Sequence, residues 1–463
     1  MAPSAREATA RAGRACLLAA ALFGLIGCYA LRPSSGAGQT TFAGPRQLDP
    51  GSVVLPAGYR IEVVARDLTF PTGLAFDAHG RIHIVESGYS YGEVFTTPRL
   101  LRLEPGTAPT VVAEGGSSGP WTGVAFHAGH FYVADGNVRS GGRILRIAPD
   151  GASHTLISEL PSFGDHHTNG PAISADGWLY FGQGTATNAG VVGADNLEFG
   201  WLKRQPTFHD RPAFPVTLSG ENQETADVLN PTSGRTVRTG AFLPFGTPAH
   251  QGQIIPASPR PTGAILRLRV EGGEPEVVAW GLRNPFGLAF APDGTLYATE
   301  NGYDDRGSRK VWGAPDTLWR IERGTWYGWP DYAAGMPLTD PQFRSPGNTA
   351  PRFVLAQHPN PVPTPAARFA VHSSANGFDF ARSADFGYQG EAFVAIFGDM
   401  APSVGKVLGP VGGKVVRVDP RTGIITDFAA NRADREGPAS KVGGHGLERP
   451  IAARFDPSGT ALY

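Results

Sequence analysis

Residues 283–302, RNPFGLAFAPDGTLYATENG, contain the pattern that decides the fold. An apolar run is followed by a turn with Asp and Gly, and then by a second run in which apolar and polar residues alternate. Alternation with a period of two is typical of β-strands, and the turn between the two runs predicts a hairpin. The segment begins with Arg283 and Asn284, two polar residues that a hairpin does not require.

The same cadence occurs five more times, in residues 71–88, 121–136, 169–184, 375–399 and 449–463. Most copies are followed by a third and a fourth apolar segment. A four-stranded unit cannot bury both of its faces alone, so the copies must pack against one another. The sequence therefore predicts an all-β fold, a six-bladed β-propeller of four-stranded antiparallel blades. A β-sandwich with chance hairpins is the alternative.

The repeat places the propeller in residues 55–463 and leaves two irregular stretches. Residues 188–262, rich in Pro, Asn and Thr, lack the cadence, and we interpret them as an insertion over one face. The last copy stops at Tyr463 in its second strand, so we expect the last blade to be truncated. The segment YRIEVVARDL (59–68) is the candidate for its outer strand.

The first residues predict export. Arg6, Arg11 and Arg14 precede the apolar run ACLLAAALFGLIG, which is shorter than the ~20 residues needed to span a bilayer. The run ends in LIGC, which resembles a bacterial lipobox, so we predict a signal peptide over 1–28 and lipidation of Cys28. A cleaved signal with a chance cysteine is the alternative. Residues 29–54 are predicted to be a polar linker, and the protein to be periplasmic or in the cell envelope.

Composition limits the partners. The formal net charge is −1 and only 17% of the residues are charged. Nucleic-acid binding needs a basic face that neutralises phosphates, so we expect no nucleic-acid partner. The lipid anchor is the only membrane contact that we predict.

Polar and aromatic residues stand just before the first strand of each predicted blade. In a propeller these positions meet at one mouth of the central channel, so they form one concave site. An isolated His or Arg is more often structural, and only the equivalent positions in the repeat favour a ligand pocket. The residues at these positions include Trp121, His166, His167, Arg283, Asn284, His372, Ser373 and Arg449.

Two segments, GLRNPFGLAFAPDGTLYATENG (281–302) and WYGWPDY (326–332), carry a family resemblance. They resemble the glucose/sorbosone dehydrogenases, quinoproteins that oxidise sugars with pyrroloquinoline quinone (PQQ) and calcium. The resemblance implies that Arg283 contacts the cofactor and polarises the quinone, that Asn284 hydrogen-bonds it, and that Arg449 is another cofactor-binding arginine. It also implies calcium ligation by the backbone carbonyls of Gly302 and Tyr303, since hard cations prefer oxygen ligands.

The resemblance further implies that His167 is the general base that takes the proton from the sugar, a role that suits a histidine with a pKa near neutrality. Trp121 and Gln183 are counted among the cofactor-binding residues. Gln183 stands where the family commonly has an Asp that orients the base, and Lys406 is the nearest candidate for a cofactor lysine expected in the fifth blade. Both departures point to a divergent member.

The predicted function is PQQ- and calcium-dependent oxidation of aldose sugars or sugar aldehydes, with an external electron acceptor such as a cytochrome or a quinone. One alternative is a calcium-dependent lactonase-type hydrolase, which would use side-chain carboxylates around a channel metal. Glu86, Asp135 and Glu300, at the ends of second strands, are its candidates. The other alternative is a sugar-binding propeller without catalytic activity.

Overall fold

The computed structural model describes residues 47–90, 94–104, 106–116, 119–400, 410–442 and 444–463. The predicted signal peptide, Cys28 and most of the predicted linker lie outside these residues, as does Lys406. Within them the chain is an all-β propeller of antiparallel sheets with a few short helices. No helix in the described part of the chain is long and apolar enough to cross a membrane.

Blades 1 to 3 each have four antiparallel strands, in the order in which the chain supplies them. Their bounds are β2 (Pro71–Phe76), β3 (Ile82–Glu86), β6 (Arg99–Arg102) and β7 (Thr110–Glu114) in blade 1; β8 (Trp121–His127), β9 (His130–Asp135), β10 (Gly142–Ile147) and β11 (Ser153–Leu160) in blade 2; β12 (Thr168–Ile173), β13 (Trp178–Gln183), β18 (Ala264–Arg269) and β19 (Gly272–Trp280) in blade 3. A small ribbon, β4 (Tyr89–Ser90) with β5 (Val94–Phe95), extends from blade 1.

Blades 4 and 5 repeat the design. Blade 4 contains β20 (Pro285–Phe290), β21 (Leu296–Glu300), β22 (Pro315–Arg320) and β25 (Ala367–Val371); blade 5 contains β26 (Ala375–Phe380), β27 (Ala392–Ile396), β28 (Lys414–Asp419), β29 (Ile424–Asn431) and, as a fifth strand, β1 (Val53–Val54). The helix α3 (Ala439–Val442) follows blade 5.

Five blades are complete in the described residues, so the predicted count of six is not confirmed. The C-terminal residues form only a short hairpin, in which Arg454 and Tyr463 exchange two backbone hydrogen bonds of 2.8 Å. The prediction of a strand over 59–68 is wrong. Tyr59 packs edge-on against Phe386 and Phe428 of blade 5, at 5.2 and 5.0 Å, and the residues after it stay outside any sheet.

Two excursions from the blades form a separate layer. Residues 184–263 leave blade 3 and contain the helices α1 (Ala194–Glu198) and α2 (Trp201–Arg204) and the strands β14 (Val216–Thr217), β15 (Asn222–Ala226), β16 (Thr236–Gly240) and β17 (Ile254–Ile255). Residues 321–366 leave blade 4 and contain β23 (Tyr332–Ala333) and β24 (Met336–Pro337). The two share one apolar core, in which Phe242 packs edge-on against Trp329 at 5.7 Å. The sequence did not predict the second excursion.

The close approach of neighbouring inner strands explains why glycine recurs in the repeated sequence pattern. Neighbouring inner strands approach so closely that a Cβ on Gly123 would lie 2.4 Å from the Gly170 carbonyl oxygen, and one on Gly287 would lie 2.4 Å from that of Asn376. Real Cβ atoms do not make such contacts. The glycines of the repeat therefore let adjacent blades meet around the channel.

Replacing Gly123 by alanine is expected to lower the free energy of unfolding by about 1–3 kcal/mol, because the added methyl overpacks a rigid contact between two backbones. Urea unfolding of Gly123→Ala and wild type measures the difference. Gly444→Ala is the matched control, since a Cβ there meets nothing within 4 Å. Equal midpoints for Gly123→Ala and wild type would contradict this explanation of the repeat.

Candidate functional site

Arg283 is buried at the entrance to β20, with a side chain only 3% exposed. Its Nη2 donates to Asp304 Oδ2 at 2.8 Å and to Asn188 Oδ1 at 3.0 Å. Its Nε donates to the Asn188 carbonyl at 3.2 Å, and Nη1 donates to the Asn301 carbonyl at 3.3 Å. A guanidinium has five N–H donors, so these four bonds fix its orientation and leave one Nη1 donor.

Asp304 is the common acceptor of this site. Its carboxylate pairs with Arg283, with Arg306 Nε at 3.0 Å and with His372 Nδ1 at 3.3 Å. Burial alone would raise the pKa of Asp304, but Arg283, His372 and Arg306 outweigh burial and hold that pKa well below its usual range. Asp304 is therefore ionised at neutral pH, and it links blade 4 to the loop that precedes blade 5.

Arg306 extends the ionic network into blade 3 and the first excursion. Its guanidinium contacts Asp165 at 2.8 Å and Asp195 at 2.5 Å, besides Asp304, and it lies over the Phe199 ring at 4.4 Å. Burial raises the pKa of Asp195 to about 6, against the pull of Arg306. We call Arg283, Arg306, Asp165, Asp195 and Asp304 together the arginine–aspartate cluster.

Gly302 and Tyr303 form the turn between Arg283's partner Asn301 and Asp304. The Gly302 amide donates to Asp316 Oδ1 at 2.7 Å, and the Tyr303 hydroxyl donates to the Tyr332 carbonyl at 2.9 Å. Among the described residues, no hydrogen bond ends on the carbonyl oxygens of Gly302 or Tyr303. Both residues line a cavity of about 10 Å³ with Arg283, enough for one water molecule. The described residues contain no group of three or more His, Cys, Asp or Glu arranged to hold a metal.

Asn284 joins blades 3 and 4. Its Oδ1 accepts from Asn169 Nδ2 at 2.9 Å, and its Nδ2 donates to Asn301 Oδ1 at 2.8 Å. One Nδ2 hydrogen is left over, as on Arg283. The structure thus brings Asn284 and Arg283 to the same rim, beside the turn with Gly302.

His167 lies at the entrance to β12 and is 7% exposed. Its ring packs edge-on against Tyr89 at 5.9 Å. Burial lowers the pKa of His167 to about 4, against the pull of the Ser162 backbone and Asp165. The imidazole is neutral at physiological pH and a weak base.

Gln183 does not orient His167. Thr168 Oγ1 donates to its Oε1 at 2.8 Å, and its Nε2 donates to the Pro161 carbonyl at 3.1 Å. The backbone register pairs Gln183 with the first residue of its inner strand, as it does Glu86, Asp135 and Glu300 in their own blades.

The register also explains why this position holds an amide in blade 3. Glu86 and Asp135 each face an arginine on the third strand of the blade, Arg99 and Arg143, at 2.6 and 2.7 Å. Gln183 faces Ala264 instead. In blade 4 the same position holds Glu300 opposite Thr317, and burial raises the pKa of Glu300 to about 7. A neutral side chain therefore suits a blade whose third strand supplies no cation at this position.

The two remaining predicted site residues, Trp121 and Arg449, lie in different surroundings. Trp121 is buried in the apolar core shared by blades 1 and 2, and its indole is not part of the cluster. Arg449 lies over the Phe397 ring at 4.7 Å and donates to the Phe397 carbonyl at 3.3 Å. Gly398, which follows Phe397, donates its amide to the Ser373 carbonyl at 2.7 Å, so the segment that Arg449 contacts is bonded to the residue after His372.

Sequence reasoning missed most of the polar partners of Arg283. Asn188 comes from the first excursion, and no repeat marks it. The one local signal was the charged run DDR directly after Tyr303, which contains Asp304 and Arg306. His372 was identified only by its place before an inner strand.

Comparisons with known proteins found one family model and several solved structures that are similar to this chain. Residues 263–401 match the family model "Glucose / Sorbosone dehydrogenase". No curated protein sequence matches the chain. The holo form of the pyranose dehydrogenase PQQ domain from Coprinopsis cinerea is similar in structure, with 16% identity, a TM-score of 0.55 and coverage of 89% of this chain and 93% of that one.

A second similar structure is the calcium structure of Trichoderma reesei carbohydrate-active enzymes family AA12. It has 17% identity and a TM-score of 0.51, and the alignment covers 91% of this chain and 94% of that one. At these identities the likeness shows the fold. The family match contains Arg283, Asn284, Gly302 and Tyr303 and the YGWP motif at 327–330. Residues 263–401 are therefore similar to the glucose/sorbosone dehydrogenases, and the whole chain has a similar propeller fold.

Proposed function

We propose that this protein is a PQQ- and calcium-dependent oxidoreductase that oxidises aldose sugars or sugar aldehydes. The observation that carries the proposal is the meeting of three features at one rim: a fixed arginine with a donor to spare, an amide donor to spare on Asn284, and two carbonyl oxygens that accept no hydrogen bond within the part of the chain that the structure describes. A tricarboxylate quinone with a bound calcium ion needs these donors and these ligands.

The turn at Gly302 and Tyr303 fits a calcium ion. Calcium prefers oxygen ligands, and backbone carbonyls are common among them. The Gly302 amide donates to Asp316 and the Tyr303 hydroxyl donates to the Tyr332 carbonyl, so these bonds hold both residues without using their carbonyl oxygens. The turn would supply two protein ligands, and oxygens of the cofactor would complete the coordination.

Arg283, Asn284 and Arg449 would hold the quinone, and the quinone supplies the hydride acceptor for sugar oxidation. The buried Nε2 of His372 has no hydrogen-bond partner among the described residues, which is a further sign of a missing polar group. Asp304 neutralises part of the charge of Arg283, so we expect the quinone to bind tightly only together with calcium.

The proposal also includes the substrate, the electron acceptor, the location of the protein and a sixth blade. The substrate is a small sugar, and an external acceptor such as a cytochrome or a quinone removes the electrons. We propose that the protein is exported and lipidated at Cys28. We also propose a sixth blade that includes the C-terminal hairpin, because Gly377 donates to the Ile451 carbonyl at 2.7 Å and Tyr463 packs against Phe76 of blade 1 at 5.3 Å.

The lactonase alternative has less support. Its candidate carboxylates already have partners in their own blades: Glu86 pairs with Arg99, Asp135 pairs with Arg143, and Glu300 accepts from the Arg283 amide and from the Trp319 indole. These bonds cap the strand ends. A side-chain cage for a catalytic metal would require breaking them.

The experiment is a titration of the purified protein with PQQ at fixed calcium, followed by dye reduction with a panel of aldoses and sugar aldehydes. We expect saturable quinone binding that weakens at least 10-fold when a chelator removes calcium, and turnover with at least one sugar. Quinone that stays unbound with calcium present would contradict the proposal. Quinone binding without turnover on any sugar would instead support the non-catalytic propeller.

A further inference from the structure

A second cavity opens at the surface between the two excursions. Its volume is about 420 Å³, within the roughly 300–1,000 Å³ that is typical of small-molecule sites. Residues 214–217 of the first excursion and residues 357–360 of the second line it, together with Gly324 and with Trp280 at the end of β19. We call this cavity the excursion cleft. It shares no residue with the cavity beside Arg283.

Phe214 gives the excursion cleft an apolar face. This side chain is 45% exposed, and no other Phe or Trp in the described part of the chain is exposed. Its ring lies against the buried Trp280 at 5.3 Å, and Trp280 in turn contacts the buried Trp326 at 6.2 Å. A large apolar ring that is supported from below but left open to solvent is a sign of a binding surface.

His358 gives the cleft a fixed hydrogen-bond acceptor. Its ring is stacked on Trp326 at 5.4 Å, and its Nε2 lies 3.2 Å from Asp331 Oδ2. Asp331 is buried and also accepts from Arg309 at 2.8 Å and from two backbone amides. Nε2 therefore carries the proton that it donates to Asp331, and Nδ1 of the neutral ring is left as an acceptor. No described residue donates to Nδ1.

The other polar groups of the cleft are neutral as well. Gln357 is exposed, and its amide, with two donors and an acceptor, makes no hydrogen bond to the residues that the structure describes. None of the lining residues is Asp, Glu, Lys or Arg. A phosphate, a carboxylate or an amine would find no opposite charge here, so the cleft favours a neutral ligand that carries hydroxyl groups.

The walls of the cleft are held in place before any ligand arrives. The Ala356 amide donates to the Thr217 carbonyl at 2.8 Å, which ties the start of the 357–360 loop to the opposite wall. The Trp326 amide donates to Asn360 Oδ1 at 3.1 Å, and Asn360 Nδ2 donates back to the Trp326 carbonyl at 3.2 Å. A ligand therefore does not have to order this loop when it binds.

We propose that the excursion cleft binds a neutral pyranose ring of an oligosaccharide, apart from the rim with Arg283. A pyranose ring combines an apolar C–H face with neutral hydroxyl groups around its edge. The C–H face packs on Phe214, because the negative face of an aromatic ring attracts polarised C–H groups. The hydroxyl groups donate to His358 Nδ1 and exchange hydrogen bonds with the Gln357 amide. A second sugar site would keep an oligosaccharide close to the protein between turnovers.

Isothermal titration calorimetry of the purified full chain, without added quinone, tests this proposal. The probes are maltotriose, cellotriose, laminaritriose and mannotriose. We expect at least one of them to bind with a dissociation constant on the order of 1 mM or lower. Binding of that trisaccharide should weaken about 10-fold in Phe214→Ala, which removes the apolar face. If none of the four binds with a dissociation constant below about 10 mM, the proposal is overturned.

Two further variants test the acceptor and the apolar face. His358→Phe keeps a ring to stack on Trp326 but has no acceptor, so we expect it to weaken binding about 3- to 10-fold. Ile424→Ala is the matched control for Phe214→Ala, because Ile424 is also an exposed apolar side chain, at 62%, but lies on blade 5. Equal affinity in Phe214→Ala, Ile424→Ala and wild type would contradict binding on Phe214.

Arg283→Met distinguishes the cleft from the rim. We expect this variant to bind the trisaccharide as wild type does; a loss in Arg283→Met without a loss in Phe214→Ala would place the sugar at the rim and overturn the proposal. Decaproline is the probe for a different occupant, since aromatic grooves also bind polyproline helices. Binding of decaproline but of no trisaccharide would likewise overturn it. Because the titration uses no quinone, absence of turnover would contradict only the proposed function, and absence of binding only the cleft.

Discussion

Arg306→Met is expected to lower the free energy of unfolding by about 3–5 kcal/mol, the largest stability loss that we predict. The guanidinium is 2% exposed and pairs with Asp165, Asp195 and Asp304. Methionine can keep the apolar contact with Phe199, so the loss isolates the charge. Asp304 would keep its ion pair with Arg283, but the buried Asp165 and Asp195 would lose their ion pairs with Arg306, and burying an unpaired charge is costly.

Urea unfolding followed by tryptophan fluorescence measures this loss. Arg323→Met is the matched control, because Arg323 also pairs with a carboxylate, Glu276 at 2.9 Å, but is 64% exposed. An exposed ion pair contributes about 0–1 kcal/mol. A shift for Arg306→Met no larger than that of Arg323→Met would show that the cluster does not stabilise the fold.

The second large effect concerns activity. Arg283→Met is expected to lower sugar-dependent dye reduction by on the order of 10²–10³-fold, because it removes the preorganised cation that would polarise the quinone. Arg283→Lys keeps the charge but cannot make the four bonds to Asn188, Asn301 and Asp304. We therefore expect the lysine variant to retain more activity than Arg283→Met and less than wild type.

The control for Arg283 is Arg382→Met, which removes an arginine that is 47% exposed and paired with Asp379. Thermal unfolding of every variant separates loss of function from loss of fold. Turnover of a folded Arg283→Met protein at the wild-type rate would rule out Arg283 as a quinone-polarising residue.

The blades could be predicted because each one repeats a local pattern with a local cause. Inner-strand glycines such as Gly123 and Gly287 are required where neighbouring strands touch. The residue types alternate along each strand because successive side chains point to opposite faces of the sheet. The second excursion, residues 321–366, was missed because its core is formed with another excursion far away in sequence. No periodic pattern within either segment predicts that the two excursions pack against each other.

The candidate site could be predicted only as far as the repeat reached. Arg283, Asn284 and His372 were found because they occupy equivalent positions before inner strands. Asp165 comes from the segment before β12, and Asn188 and Asp195 come from the first excursion; none of these segments carries the repeat. The residue opposite Gln183, Ala264, could not be predicted because cross-strand partners are not visible in one sequence.

The measurement that tests the central claim most directly is a single-turnover reduction without an external acceptor. The protein is loaded with calcium and PQQ, freed of excess quinone and mixed anaerobically with each sugar while the absorption of the bound quinone is recorded. Our account predicts that a sugar converts about one equivalent of bound quinone to its reduced form, and that Arg283→Met does so far more slowly. A quinone that stays bound and oxidised with every sugar would contradict it.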